Sequence, residues 1–261
     1  MTVATAMLTA AIAIAALMLA TWGASLPLRN ASIVDIVWGL GFVVVVWAVR
    51  LQGTDNGLRQ NLLVVLVTVW GLRLAGYLWW RNHGKPEDYR YRAMRKKWGP
   101  RFPLISLVTV FVLQGVLMWI VSLPVQLAQT REGTGIGVFA VFGVAVWLIG
   151  LSFEAVGDVQ LARFKSDPAN DGKVMDQGLW RLTRHPNYFG DACAWWGIGL
   201  VALDAGGVAW WGLIGPVVMT VLLLKVSGVA LLERSLQKRK PEYAAYAERT
   251  SAFFPRPPKS A

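Results

Sequence analysis

Leu104-Ile-Ser-Leu-Val-Thr-Val-Phe-Val-Leu-Gln-Gly-Val-Leu-Met-Trp-Ile-Val-Ser-Leu-Pro-Val-Gln-Leu127 runs for 24 residues without a charge. The hydrocarbon core of a bilayer is crossed by about 20 apolar residues of α-helix, so this stretch reads as a membrane span. Six further apolar segments flank it: Val3–Thr21, Ile33–Val49 and Leu62–Trp80 before it, and Ile136–Val156, Phe189–Leu203 and Val208–Leu232 after it. The first lacks a positively charged leader and is soon followed by another span, which favours a retained helix over a signal peptide. The sixth is short and carries Gly190, Gly197 and Gly199. Hydrophobic residues make up 55% of the 261 and charged residues 16%, against roughly 25% charged in a soluble domain. The expected fold is all-α, a polytopic membrane bundle of about seven transmembrane helices forming one domain over 1–261. A soluble enzyme, a disordered chain and a fibrous protein are excluded.

The formal net charge of +11 would suggest nucleic acid in a soluble chain, but cytoplasmic loops of membrane proteins are rich in Lys and Arg, and no nucleic-acid partner is expected. Eight cations against two acids lie in 81–101, and the tail beyond Glu233 carries Arg234, Lys238, Arg239, Lys240, Arg249, Arg256 and Lys259. Both regions are expected in the cytoplasm. With seven spans this puts the N-terminus outside, and loops 22–32, 81–103 and 157–188 inside. The single cysteine, Cys193, excludes an intrachain disulfide, and two histidines, His83 and His185, are too few for a histidine-built metal centre. Gly133-Thr-Gly-Ile-Gly137 reads as a turn, because a dinucleotide fingerprint needs a strand before it.

Ionisable residues within spans are costly and mark function. Asp35, Arg73, Glu154 and Lys225 all fall on the expected cytoplasmic side, with Gln114 nearer the midplane, and together they suggest a polar cavity opening inward. Lys225 is also placed to reach the interface by snorkelling.

The densest chemistry lies in 153–191. On a continuing helix Glu154 and Asp158 share a face as i,i+4 neighbours, and such carboxylates accept from ribose hydroxyls or an adenine amine. Lys165, Lys173, Arg181 and Arg184 are cations suited to phosphates. Asn187 both donates and accepts, as a ligand amide requires. The ordered cluster Arg184-His185-Pro-Asn187-Tyr188-x-Gly-Asp191 at a helix entrance exceeds what orientation alone needs and reads as a cofactor site.

Gly178-Leu-Trp-x-Leu-Thr-Arg-His-Pro-Asn-Tyr-Phe-Gly-Asp191, with the tail Lys240-Pro-Glu-Tyr-x-x-Tyr246 and Phe253-Phe-Pro255, resembles the steroid 5α-reductase family, in particular its uncharacterised bacterial branch. The Arg-His-x-Asn-Tyr core is also similar to that of the C14 sterol reductases. The resemblance covers roughly Asp35 to Pro255 and is strongest over 154–255. It implies a membrane reductase that takes NADPH from the cytoplasmic side and passes hydride to an activated C=C bond of a steroid-like or isoprenoid lipid. It implies residence in a bacterial inner membrane. By position it implies Asp158 at the adenosine, Lys173 at a phosphate, Asn187 and Asp191 near the nicotinamide, and Arg73 at the inner part of the third helix.

Upstream, the family holds its substrate carbonyl with a second-helix Glu in a Gln-Glu-Leu-Pro setting and a third-helix Tyr. Here the second helix reads Val34-Asp-Ile-Val-Trp-Gly39, and Trp70 stands at the third-helix position. Asp35 is the candidate proton donor in place of the glutamate, and Tyr77 the candidate phenol. A structural pairing of Asp35 with Arg73 is the other reading. Arg-His-Pro-x-Tyr-x-Gly followed by paired tyrosines also resembles S-adenosylmethionine-dependent membrane methyltransferases of the isoprenylcysteine or phospholipid type. That function is the alternative.

Overall fold

The computed structural model describes residues 1–53, 57–131, 133, 135–226, 229, 233 and 242–259. The described secondary structure is helical. Helices α1 (Val3–Leu28), α2 (Ile33–Gln52) and α3 (Leu58–Asn82) are followed by α4 (Tyr89–Trp98) and by α5 over residues 102–121. Then come the short α6 (Leu123–Ala128), the long α7 (Val138–Ser166), the single turn α8 (Leu179–Leu182) and α9 (Pro186–Leu203). The helical run α10 (Gly207–Val226) and α11 (Tyr243–Arg249) complete the order.

Six runs contain a stretch long and apolar enough to cross a membrane: α1, α2, α3, the segment Tyr89–Val121 through its apolar part in α5, α7 and α10. The protein is therefore a polytopic helical membrane protein. The expected sixth span forms α9, whose 18 residues include Asn187 and Asp191, and it is less apolar than the six. Most of the expected seventh span beyond Val226 lies outside the described residues, as do Arg234, Lys238, Arg239 and Lys240 of the tail.

Several boundaries move. Helix α1 continues through Pro27 to Leu28. The charged stretch expected as a loop is largely helix α4, whose start is capped by the Asp88 carboxylate accepting from Arg90 N. At Gly99 the backbone takes φ 51° and ψ −130°, which breaks the helix, and the chain turns before α5. The expected span Leu104–Leu127 ends early, at Val121, because Ser122 leaves the helical conformation and Pro124 starts α6; proline lacks the N–H that would continue the ladder.

Contacts divide the chain into two compact units, Met1–Ala140 with Val201–Gly215, and Val141–Leu200 with Pro216–Ala261. In the first, α2 meets α3 backbone to backbone at Gly39 and Gly71: a Cβ on Gly39 would stand 2.5 Å from the Gly71 carbonyl oxygen. Phe42 and Trp70 pack edge to face beside this contact, 5.5 Å apart. At the other end of α3, buried Arg59 donates to the carbonyls of Asp204 (3.3 Å) and Arg131 (2.9 Å). Asp204 in turn accepts from Ala140 N at 2.8 Å, in the first turn of α7. A Cβ on Gly137 would meet that carboxylate at 2.5 Å. This glycine thus makes room for the carboxylate that satisfies a free N–H in the first turn; Thr134 of the same stretch lies outside the described residues.

In the second unit, Gly143, Gly150 and Gly157 recur every seventh residue along α7. A Cβ on Gly197 would lie 2.6 Å from the Gly143 oxygen, one on Gly150 would lie 2.5 Å from the Gly190 oxygen, and one on Gly157 would touch Pro186 at 3.1 Å. The pairs run in opposite chain order, so α7 and α9 pack antiparallel along a glycine seam, the close approach that small residues permit in membranes. The seam sets the two carboxylates of α7 against the first turns of α9.

Candidate functional site

Beyond the seam, the end of α7 and the loop after it enclose a cavity of about 780 Å³. Trp180 fixes α8 against α7 by donating to the Gly157 carbonyl at 3.0 Å, and Gln160 accepts from Leu179 N at 3.0 Å. Tyr246 of α11 donates to the Trp180 carbonyl. The cavity wall then combines aromatic faces (Phe164, Trp180, Tyr243, Tyr246) with Lys165, Arg184 and His185 and with the carboxylates Asp167 and Asp171.

Arg184 is engaged by the chain itself. Its Nε donates to Glu233 at 2.7 Å, and its Nη1 donates to the carbonyls of Ala247 and Thr250 at 2.7 and 2.8 Å. Backbone and side-chain bonds extend the attachment: Arg184 N to Ser251 O, Thr183 Oγ1 to Phe253 O and Arg256 N to Leu182 O. Burial opposes ionisation of Glu233, but hydrogen bonds from His185 and Arg184 outweigh it and hold the carboxyl below its ordinary range. Burial, with the Glu233 charge nearby, pushes the Tyr243 phenol up to about 12. Burial likewise raises Tyr246.

His185 is 1% exposed. Its Nε2 lies 3.2 Å from Glu233 Oε1, and its ring stacks on Tyr188 with an interplanar angle of 9°. Its Nδ1 is buried without a hydrogen-bond partner among the described residues. Buried polar atoms are nearly always satisfied, and among the described residues nothing satisfies this one. Nδ1 can serve a ligand hydrogen bond as donor or as acceptor, according to the ring's tautomer.

Glu154 and Asp158 are buried at 2% and 3% exposure, and Asn187 Nδ2 donates to Asp158 at 3.3 Å. Asp191 follows Asn187 by one helical turn. The expected adenosine and amide residues are thus brought together, but across the α7–α9 seam rather than in the cavity wall. Lys173 and Arg181 are exposed, on the loop and on α8, and neither lines the cavity. Glu233, Trp180, Tyr243 and Tyr246 were not among the expected site residues, although the Tyr243-x-x-Tyr246 spacing was a usable signal.

In the first unit, Asp35 receives Arg90 Nη2 and the Tyr91 hydroxyl, each at 2.8 Å. Gln114 Nε2 donates to the same phenol at 3.4 Å. The turn at Gly99 makes this meeting of α4 with the middle of α5 possible. The ion-pair partner found at Asp35 is Arg90, where the alternative to a proton-donor role for Asp35 names Arg73. Arg73 lies over the Tyr77 ring, 5.4 Å from its centroid, with Arg81 at 5.6 Å. Glu87, which accepts from Ala31 N at 2.7 Å, and Asp88 flank the cluster. Burial acts against both, but hydrogen bonds to Arg95 and to Arg90 respectively hold these carboxyls below their usual range. Lys225, on α10, is exposed.

The fold and the two polar centres define a helical integral membrane protein with a ligand-sized cavity beside its longest helix. The chain belongs to the family described as "Protein of unknown function (DUF1295)", whose profile matches residues 21–250. It is 24% identical over 274 residues to an uncharacterised protein of Schizosaccharomyces pombe (strain 972), covering 90% of this chain and 75% of that one. A shorter match, 41% identical over 66 residues, joins 25% of this chain to 22% of a probable O-methyltransferase, ustE, of Ustilaginoidea virens. No solved structure matches.

Proposed function

We propose that the protein is a membrane reductase that holds NADPH in the α7–α11 cavity and reduces an activated C=C bond of a steroid-like or isoprenoid lipid. The observation that carries this reading is the cavity itself, lined by a lysine, two aspartates and four aromatic rings, with a His185 Nδ1 that has no hydrogen-bond partner among the described residues. The residues fit a dinucleotide: the volume lies within the roughly 300–1,000 Å³ of small-molecule sites, Lys165 suits a phosphate, and the rings of Trp180, Tyr243 and Tyr246 suit heteroaromatic faces. Asp158 and Asn187 lie on the seam outside the cavity wall, and serve the ribose and amide groups of a cofactor that extends beyond the cavity. When bound, NADPH supplies the hydride. His185 offers Nδ1 to a ligand hydrogen bond, while Glu233 fixes its ring orientation.

The test is nucleotide binding to detergent-extracted protein, with mass spectrometry of whatever co-purifies. NADPH is expected to bind. Lys165→Gln and Asn187→Ala each remove a charge-assisted or amide contact, expected to weaken binding roughly ten- to a hundredfold. Unchanged affinity in both variants sinks the assignment. The second reading, an S-adenosylmethionine-dependent methyltransferase, is favoured by the partial match to ustE. Binding of S-adenosylmethionine with no response to NADPH would replace the first reading with the second.

A further inference from the structure

Helix α4 reads Tyr89-Arg-Tyr-Arg-Ala-Met-Arg-Lys-Lys-Trp98, with five cations and no acid. Two of the cations are held by carboxylates. Arg90 binds Asp35 and Asp88, and Arg95 binds Glu87 at 2.8 Å while lying 4.3 Å over the Phe102 ring. These pairs, with buried Tyr91, dock one side of the helix. At 100° per residue, Arg92, Lys96 and Lys97 fall within an arc of about 140° on the opposite side, and all three are exposed. No salt bridge engages them among the described residues.

The position of this face identifies its surroundings. Residues 83–88 and 99–101 tie α4 to two apolar spans, so the helix is confined to a membrane surface. Exposed Trp79, Trp80 and Trp98 flank it, and tryptophan concentrates at the headgroup level. We propose that the Arg92–Lys96–Lys97 face of α4 binds the phosphate groups of anionic phospholipids at that surface. A basic side chain near an anionic leaflet contributes about fivefold in affinity, so three make the preference measurable. A soluble acidic protein or a nucleic acid is disfavoured, because the flanking spans hold this face at headgroup depth.

Native mass spectrometry of the protein released from an equimolar mixture of phosphatidylcholine and phosphatidylglycerol tests this. The wild type is expected to retain phosphatidylglycerol at least tenfold over phosphatidylcholine, and the R92Q/K96Q/K97Q variant to fall to near parity. A control, R29Q/R256Q/K259Q, removes the same charge from exposed positions elsewhere and is expected to keep the preference. Equal loss in both variants would reduce the effect to net charge and overturn the proposal. So would an unchanged preference in the α4 variant, or displacement of the lipid by millimolar inorganic phosphate or by oligonucleotide. Melting temperature in phosphatidylcholine alone, expected to match for the α4 variant and the control, separates lipid recognition from misfolding.

Discussion

Arg184 stands in a motif whose cations invite a phosphate, yet its side-chain bonds go to Glu233 and to the carbonyls of Ala247 and Thr250. Its main contribution is to hold the C-terminal segment that supplies Tyr243 and Tyr246 to the cavity. Removing one partner of a largely buried ion pair leaves the other uncompensated, so Arg184→Gln should cost about 3 kcal/mol or more, read as a fall in melting temperature; unchanged melting would deny the clasp. The same contact has a pH signature. Glu233 ionises more readily in the folded protein than in the unfolded chain, so its contribution is complete above the ordinary carboxyl range. It is lost as pH falls below about 4.5. Proteolysis of the C-terminal segment should accelerate over that acid range in the wild type and show a weaker pH response in Glu233→Gln. Tyr91 offers a separate check: Tyr91→Phe removes the hydrogen bond to the Asp35 carboxylate, which should cost about 1.5–3 kcal/mol, read as a fall in melting temperature.

The α7–α9 seam is an element-level device with a sharp steric test. Gly150 and Gly190 face each other so closely that a Cβ at either would lie 2.5 Å from backbone. Neither helix can yield without separating along its length. Gly150→Val should therefore destabilise by about 1–3 kcal/mol or prevent folding. Gly76, on α3, has nothing within 4 Å of a built Cβ, and Gly76→Ala should leave melting unchanged or slightly raised. Equal tolerance at the two sites would mean that the seam is not a tight contact. Because Glu154, Asp158 and Asn187 sit along this seam, a separated variant that still folds should also bind nucleotide more weakly.

Topology is decided by α9. Six runs are apolar enough to span; if α9 also crosses, the termini lie on opposite sides, with the cation-rich tail in the cytoplasm by the charge rule. Fluorescent fusions are expected to report the C-terminus inside and the N-terminus outside. Both on one side would make α9 a buried helix that does not cross.

Much of this architecture is legible along the chain because a bilayer leaves the backbone few options: within hydrocarbon every peptide group must be satisfied locally, so a long apolar run such as 104–121 becomes a helix. The seven-residue spacing of Gly143, Gly150 and Gly157 is equally visible, and Glu154 with Asp158 follows from helix periodicity. The cation content of α4 is visible too, but not its turn at Gly99, whose φ of 51° glycine allows without signalling. Folding chose which charges meet. Asp35 pairs with Arg90 and Tyr91, more than fifty residues away, and Arg184 reaches Glu233 and the tail. Hydropathy and periodicity carry information over one or two helical turns, whereas these contacts join segments that only packing brings together.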